Sequence, residues 1–218
     1  MNTAMNTPMN TVLKSSVRMG LLAAGIAAAA YPLLLRRWCL TWGATHDEAG
    51  SVLPGDELLP GPCLVATRAV TVDAPPGAVW PWLVQMGSGR GGAYTYDWIE
   101  NLFGLNMHSA DEILPRFQGL KAGDVLPLGA TGPRMRAQVV QAEQALVFWS
   151  EDGNWVWAFV LRPEGEMTRL ISRNRIAAPD AGPLGRLVTL LMEPGSLIME
   201  RKMLLGVKER AERLARIG

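Results

Sequence analysis

Three glycines in the segment GSGRGG, at positions 87, 89 and 92, have the spacing of a phosphate-binding loop. In a dinucleotide-binding fold, that loop follows a strand and opens a helix. Here the residues before it predict a helix instead, because apolar side chains recur at helical spacing at Val79, Trp82, Leu83 and Met86. We therefore interpret the glycines as a sharp turn between two helices, where positive φ angles are needed.

Three titratable side chains after this turn could act as a general acid or base, namely Asp97, Glu100 and His108. Three more could stabilise an oxyanion or donate to a carbonyl, namely Arg90, Tyr94 and Tyr96. Each also has a structural explanation. Asp97 and Glu100 fall on the polar side of the predicted helix TYDWIENLF, opposite Trp98 and Leu102, where they would be solvated. His108 fits a loop or core histidine, and Arg90 fits a surface ion pair.

The composition excludes some partners. The net charge is +1 and 49% of the residues are hydrophobic, so no basic face for nucleic acid is indicated. Two cysteines and two histidines have no metal-ligand or redox spacing, and we expect neither a metal nor a cofactor.

The N-terminal third predicts a tail and an anchor. Residues 1–16 form a polar near-repeat typical of disorder. The uncharged run at 19–35 predicts a single-pass transmembrane helix at 17–37, with unknown sidedness. Two alternatives are a cleaved signal peptide, with an A-x-A site at 27–29, and a buried soluble helix.

Residues 38–63 are rich in glycine and proline and indicate a linker, strapped along the surface of the following domain. Within it, His46, Asp47 and Glu48 are interpreted as a solvated charge cluster.

Residues 64–218 predict one α+β domain. A strand at 67–73 precedes the two helices, and Ser109–Glu112 fits the capping box of a short third helix. Alternating segments then predict an antiparallel meander, with a hairpin at Asp152-Gly153. A long terminal helix follows. The apolar run at 184–192 is bounded by Gly-Pro and Pro-Gly, which indicates a separate segment that is either core or a lid at a cavity mouth.

The order of these elements resembles the START-like or Bet v1-like (SRPBCC) superfamily, and in particular its polyketide cyclase/dehydrase-like, membrane-anchored bacterial members. The resemblance rests on the segments VTVDAPPGAVWPWLVQMG, GRGGAYTYDWIENLFGLNMHSADEI, NWVWAFVLRP with TRLISR, and MEPGSLIMERKMLLGVKERAE, together with WGAT and PGDEL before the domain. The resemblance implies a helix-grip fold, in which a curved antiparallel sheet wraps the long C-terminal helix and leaves a cavity.

The resemblance also implies which elements wall that cavity. The aromatic and basic side chains on those elements are then candidates for ligand binding, with core packing as the alternative. They are Trp80, Trp82, Arg90, Tyr94, Tyr96, Trp98, Trp155, Trp157 and Arg173.

The expected function is a membrane-anchored domain that binds a hydrophobic small molecule or lipid without transforming it. The first alternative is a cyclase, dehydratase or isomerase that acts on an apolar substrate, which would need at least two of the acid, base and oxyanion candidates in one cavity. The second alternative is a scaffold or partner-binding module with a filled core and an exposed apolar patch.

Overall fold

The structure, a computed structural model, describes residues 19, 31, 35–129, 132–177 and 182–217. The chain divides into two compact units, Met1–Trp38 and Cys39–Gly218. The predicted tail and most of the predicted membrane segment lie outside the described residues. Among the residues that are described, no helix combines the length and the apolar character needed to cross a membrane.

Six antiparallel strands form one curved sheet in the order β1-β6-β5-β4-β3-β2. The strands are β1 (Leu64–Val72), β2 (Val125–Pro127), β3 (Arg134–Gln141), β4 (Ala145–Ser150), β5 (Trp155–Glu164) and β6 (Met167–Ile176). The helices are α1 (Arg36–Leu40), α2 (His46–Gly50), α3 (Pro76–Val84), α4 (Asp97–Leu102) and α5 (Pro183–Ile217), with short 3-10 helices at Asp56–Leu58 and Pro115–Phe117. The α+β plan with a long C-terminal helix is therefore confirmed.

The core lies between the inner face of the sheet and the helices α3 and α5. All four residues of the expected apolar stripe are buried, three on α3 and Met86 just after its end. Helix α5 buries Met203, Leu204, Val207 and Ala211 against the same cluster. Helix α5 passes very close to the segment before α4, since a Cβ added at Gly206 would lie 2.5 Å from the Tyr94 carbonyl oxygen. Glycine at this position permits the close approach.

The glycine segment is a turn, as the sequence indicates. Gly87 pairs with Gly92 across a tight loop, and Gly87, Gly89 and Gly92 all have positive φ angles. A Cβ at Gly92 would lie 2.7 Å from the backbone of His108, so this position also brings two chain segments together. Because helix α3 precedes the loop, the strand that a dinucleotide fingerprint needs is not there.

The expected separation of residues 184–192 from the terminal helix is wrong. Residues 183–217 form one continuous helix, although Pro194 removes one backbone donor from its interior. Burial of Glu193, Leu197 and Glu200 on both sides of the proline holds the helix together, so tertiary packing outweighs the local break. Within the expected separate segment, Val188 and Met192 are exposed and Leu190 is half-buried, while the side chains of Leu187 and Leu191 lie outside the described part.

The expected third helix at 109–112 is also absent from the described chain, where a 3-10 turn follows at Pro115–Phe117 instead. The reason is that Ser109 has another partner. Its backbone N–H and its hydroxyl both donate to the carboxylate of Asp97, at 2.7 and 2.6 Å. These two bonds orient the Ser109 side chain towards Asp97.

A β-bulge between Ala137 and Val139 changes the expected alternation of β3. Met135 and Ala137 face the main core, as the period of two predicts, but Val139 packs with the cluster on the outer face of the sheet. One inserted residue shifts every later side chain to the other face.

Residues 43–59 cover the outer face of the sheet as a strap. Leu53 packs on Ala69, Val160 and Ile171, and Leu59 packs on a second outer cluster. Helix α2 begins with a capping box between Thr45 and Glu48. The Glu48 side chain is buried and accepts from Arg169 at 2.7 and 2.8 Å, and these contacts lower its pKa. The interpretation of Glu48 as part of a solvated cluster is therefore wrong.

Candidate functional site

A cavity of about 160 Å³ opens between α5, the inner face of β5 and β6, and the segment that leads into α4. Its walls carry both apolar and polar side chains. They are Ala93, Thr95, Glu100, Trp155, Trp157, Asn174, Ser196, Met199, Glu200 and Met203. This mixture suits a small ligand with an apolar body and one polar end.

Two tryptophans form one wall of the cavity. Trp155 and Trp157 alternate on the inner face of β5, and their rings stack with centroids 5.6 Å apart. The indole N–H of Trp155 donates to Asn174 Oδ1 at 2.7 Å, and that of Trp157 donates to Ser172 Oγ at 3.1 Å. The hydrogen bonds fix both rings, so the wall is preorganised.

Glu200 on α5 joins these partners in one buried network. Its Oε1 accepts from Ser172 Oγ at 2.6 Å and from Asn174 Nδ2 at 3.0 Å, and its Oε2 accepts from Arg68 Nη1. Burial raises the pKa of Glu200, while Arg68 and these donors act in the opposite direction. Arg68 is fully buried and also donates to the Cys39 carbonyl oxygen. The network thus ties β1, β6 and α5 together behind the tryptophan wall.

Glu100 also lines this cavity, and its carboxyl group has fewer hydrogen-bond partners than that of Glu200. The residue is 7% exposed, although the helix pattern placed it on the solvated side of α4. Within the described chain, neither its Oε2 nor the buried hydroxyl of Thr95 beside it has a hydrogen-bond partner. Burial raises the pKa of Glu100, the nearby Thr95 hydroxyl lowers it, and the charge of Asp97 raises it further. The Thr95 effect reflects proximity, because the two groups do not meet in hydrogen-bond geometry.

Replacing Glu100 by Gln is expected to stabilise the protein at neutral pH. The folded pKa of Glu100 lies above its ordinary value of 4.5, so its contribution to stability is fully present below that value and is lost as pH rises through the folded pKa. Gln cannot ionise and avoids the loss. Calorimetry on the full-length E100Q variant should show a Tm about 2–4 °C higher at pH 7.5, and no difference below pH 4.

The matched control for this prediction is E209Q, which removes the same charge from an exposed position on α5. Its Tm should follow that of the unmodified protein at both pH values. A lower Tm for E100Q at pH 7.5 would contradict the prediction, because it would show that the ionised carboxylate is stabilised by partners.

A small apolar pocket adjoins the cavity and shares Ala93 and Trp157 with it. Its volume is about 20 Å³, little more than one water-sized probe. The other walls are Met86, Gly87, Met107, Leu126, Leu128, Met135 and Phe148. Methionine side chains adapt their shape readily, so this pocket can enlarge for the apolar end of a ligand.

The other expected acid, base and oxyanion residues do not line this cavity. The Asp97 carboxylate accepts two hydrogen bonds from Ser109, and His108 is exposed. Arg90 donates to the carbonyl oxygens of Met86, Val84 and Phe117. Of the whole set, only Glu100 is among the residues that line the cavity.

Both tyrosines of the set have partners elsewhere. The Tyr94 hydroxyl donates to the Trp82 carbonyl oxygen at 3.0 Å, and burial raises its pKa. The ring of Tyr96 lies 5.9 Å from the Lys202 ammonium. Neither hydroxyl is placed to donate to a ligand in the cavity.

The remaining ligand candidates are dispersed. Trp80 packs at the edge of the core, and Trp82 is buried with its ring edge-on to Tyr94. Trp98 is 70% exposed, together with Leu102 and Phe103, so the apolar side expected to pack is the solvent side of α4. Arg173 lies on the outer face of the sheet under the strap. Trp155 and Trp157 are the two candidates that line the cavity.

The polar residues that organise the cavity were missed by sequence reasoning. Glu200 lies in the charged run MERK, and Arg68 lies in a strand otherwise made of small and β-branched residues. A lone arginine at an inward position of a buried strand predicts a buried acidic partner, because a buried charge needs a counter-ion. Nothing in the local sequence identifies Glu200 as that partner.

The described residues contain no group of three or more His, Cys, Asp or Glu side chains that could hold a metal ion. No phosphate-binding loop opens a helix either, as the glycine turn shows.

Comparison with known proteins gives similarity of fold. No family model and no curated protein matches the chain. Protein MLL2253 of Mesorhizobium loti is 15% identical with a TM-score of 0.42, over 69% of this chain and 98% of that one. The KanY protein is 17% identical with a TM-score of 0.47, over 70% and 99%.

A third solved structure also matches most of the chain. The Polyketide_cyc-like protein Cgl2372 of Corynebacterium glutamicum is 14% identical with a TM-score of 0.36, over 73% of this chain and 93% of that one. Similarity at this level concerns the fold alone, and the chemistry of the site rests on the cavity itself.

Proposed function

We propose that the domain binds a small hydrophobic molecule in the cavity between α5 and the sheet. The observation that carries this proposal is the cavity wall itself, where stacked Trp155 and Trp157 face Met199 and Met203 beside a few polar groups. Aromatic and methionine side chains provide apolar contact area, and the hydrogen-bonded indoles lose little freedom on binding.

The proposal includes a membrane anchor, which the sequence supports. Residues 19–35 carry no charge and extend to about 25 Å as a helix, close to the thickness of a bilayer core. An anchor of this kind would hold the cavity near a source of apolar ligands. We take the single-pass helix, with unassigned sidedness, as part of the proposed function.

A second candidate function is an enzyme that uses Glu100 as its acid or base. One observation favours it, namely a buried carboxyl group with a raised pKa inside a cavity. The rest of the expected set lies elsewhere, so the required pair of titratable candidates is missing from the cavity walls. Binding without chemistry therefore accounts for the geometry with fewer assumptions.

One experiment tests the proposal in the intact protein. Cell membranes that contain the full chain are washed with carbonate, which removes proteins that lack an anchor. A photoreactive eight-carbon alkane with a central diazirine is then added and irradiated. We expect the protein in the washed membranes, and label on peptides that contain the cavity residues 93–100 and 155–157.

The variant A93L serves to block the site, because Ala93 lines both the cavity and the adjoining apolar pocket. It should reduce the label at least fivefold, since each added methylene fills space that the alkane needs. The control A215L adds the same volume on an exposed position of α5. Equal labelling of both variants would show a non-specific surface, and no cavity label would favour the scaffold alternative.

A further inference from the structure

Large apolar side chains are exposed on two of the elements that wall the cavity. Ser196 is exposed and lines the cavity, so it marks the mouth. Met192 lies one turn earlier on the same face of α5. Trp98, Leu102 and Phe103 lie on α4 or directly after it. These four apolar residues, which we call the mouth patch, are between 65% and 77% exposed.

Helix α4 has the cavity on one side and the mouth patch on the other. Glu100 lines the cavity, and successive residues of a helix are rotated by about 100°. Trp98 and Leu102 therefore project from the face opposite Glu100, where both are exposed. A single short helix thus separates the ligand site from the surface that covers the patch.

We propose that the mouth patch inserts into the lipid interface of the membrane that carries the anchor, and that the ligand enters the cavity from this lipid phase. The inference rests on the proposed function, to which it adds the surface on which the domain docks and the route by which the ligand arrives. The partner is a lipid surface, because an exposed apolar patch of this size beside a ligand site marks an interaction surface and the tether holds it near lipid.

The chain between the proposed anchor and the domain is too short to keep the domain far from the bilayer. The predicted span ends at residue 37, and Cys39 is already buried in the domain. Two residues of fully extended chain cover no more than about 7 Å. In an anchored protein, the part of the domain around Cys39 therefore lies close to lipid.

That part of the domain is also the part that carries the cavity mouth. The Nε atom of Arg68 donates to the Cys39 carbonyl oxygen at 3.0 Å, and Nη1 of the same guanidinium donates to Ser196 Oγ at 3.1 Å. Three residues after Cys39, the ring of Trp42 lies 5.1 Å from the guanidinium of Arg201 on α5. The chain thus enters the domain beside the opening of the cavity.

The chemistry of this edge suits a lipid interface. Tryptophan is enriched where membranes meet water, because its ring is apolar and its N–H is polar, and Trp98 can use both there. Arg201 and Lys202 follow the mouth on α5 and can attract lipid phosphates. The carboxylate of Asp97, beside Trp98, is directed to Ser109, which donates two hydrogen bonds to it.

The first test measures lipid contact in the full-length protein. The protein is placed in nanodiscs of phosphatidylcholine and phosphatidylglycerol, with part of the phosphatidylcholine carrying a diazirine on its acyl chain. After irradiation, label is compared between peptides that contain residues 97–105 and peptides that contain residues 46–58. The second set includes Val52, which is 86% exposed on the strap. We expect about tenfold more label on 97–105, because insertion brings these side chains among the acyl chains.

The second test measures the entry route with the variant W98S/L102S/F103S. The eight-carbon alkane diazirine is added to the nanodiscs, and label on peptides that contain residues 155–157 is followed over time. We expect this label to appear about fivefold more slowly in the variant, because less apolar surface holds the mouth in the lipid. The final amount should not change, since the three side chains lie outside the cavity walls.

The matched control is V52S/I217S, which makes the same kind of change at two exposed apolar positions away from the mouth. Val52 lies on the strap, and Ile217 lies about 31 Å along α5 from Ser196. This variant should take up the alkane at the rate of the unmodified protein. An equal slowing in both variants would contradict entry through the mouth patch.

The outcomes separate this inference from the function on which it rests. Label on 97–105 that does not exceed label on 46–58 overturns the lipid contact and leaves a protein partner as the occupant of the patch. Lipid label on 97–105 without alkane label in the cavity overturns ligand binding while the docking surface stands. Loss of the protein from the nanodiscs overturns the anchor and this inference with it. The lipid label is measured on the unmodified protein, so the folding of the variants does not affect that result.

Discussion

Replacing Glu200 by Gln is expected to lower the free energy of unfolding by about 3–5 kcal/mol. The carboxylate is the counter-ion of Arg68, which is fully buried, and its other oxygen accepts from Ser172 and Asn174. Gln has one oxygen and one amide NH₂, so in either orientation a donor faces a donor. The variant therefore leaves a buried guanidinium uncompensated and one hydrogen bond of the network broken.

Equilibrium denaturation of the full-length protein measures this loss, and the exposed E209Q variant is the matched control with an expected change below about 0.5 kcal/mol. The variant should also loosen the tryptophan wall, since Ser172 and Asn174 hold Trp157 and Trp155. The indole N–H resonances of these two residues report that loosening. A change in stability below 1 kcal/mol would show that Arg68 finds another partner.

Replacing Arg173 by Met is expected to lower the free energy of unfolding by about 3–5 kcal/mol. The same change should release the strap from the sheet. The guanidinium donates to the carbonyl oxygens of Ser51, Glu48 and Ala49, and to the side chains of Asp56 and Thr67. Met fills a similar volume and makes none of these bonds. Hydrogen exchange at residues 46–58 should therefore become much faster.

The exposed Arg162 on β5 offers the control R162M, which should change neither stability nor exchange. A ligand contact at Arg173 would give the opposite pattern, with normal stability and a loss of ligand binding. Slow exchange in the strap of R173M would contradict the structural role. The two outcomes thus decide between the ligand-binding role that the sequence allowed and the fastening role that the contacts indicate.

Both effects arise from arginines on the sheet, and they differ in which face the arginine uses. Arg68 points inward from β1 and meets α5, whereas Arg173 points outward from β6 and meets the strap. The Arg68–Glu200 pair on the inner face holds the cavity wall in place. The contacts of Arg173 on the outer face hold the strap against the sheet. A sheet with charged groups on both faces needs a partner element on each side, because buried charge without a partner is strongly unfavourable.

The sequence by itself determined the order and type of the main elements. The period of two across 134–176, with the Asp152-Gly153 hairpin between β4 and β5, specifies a meander because alternate side chains must reach the same core. The stripes on α3 and α5 specify which helix faces are buried. These signals are local, since each depends on side chains a few residues apart.

Only the tertiary structure decided the site. Helix α4 has six residues, and its exposed Trp98 and buried Glu100 reverse the usual polarity because the cavity, not the apolar core, lies on its inner side. Glu200 pairs with Arg68 across 132 positions, and no local pattern encodes such a partnership. Pro194 predicts a break, yet packing on both sides keeps α5 continuous. Local propensity amounts to about 3 kcal/mol even for proline, so long-range burial and charge pairing can override it wherever they act together.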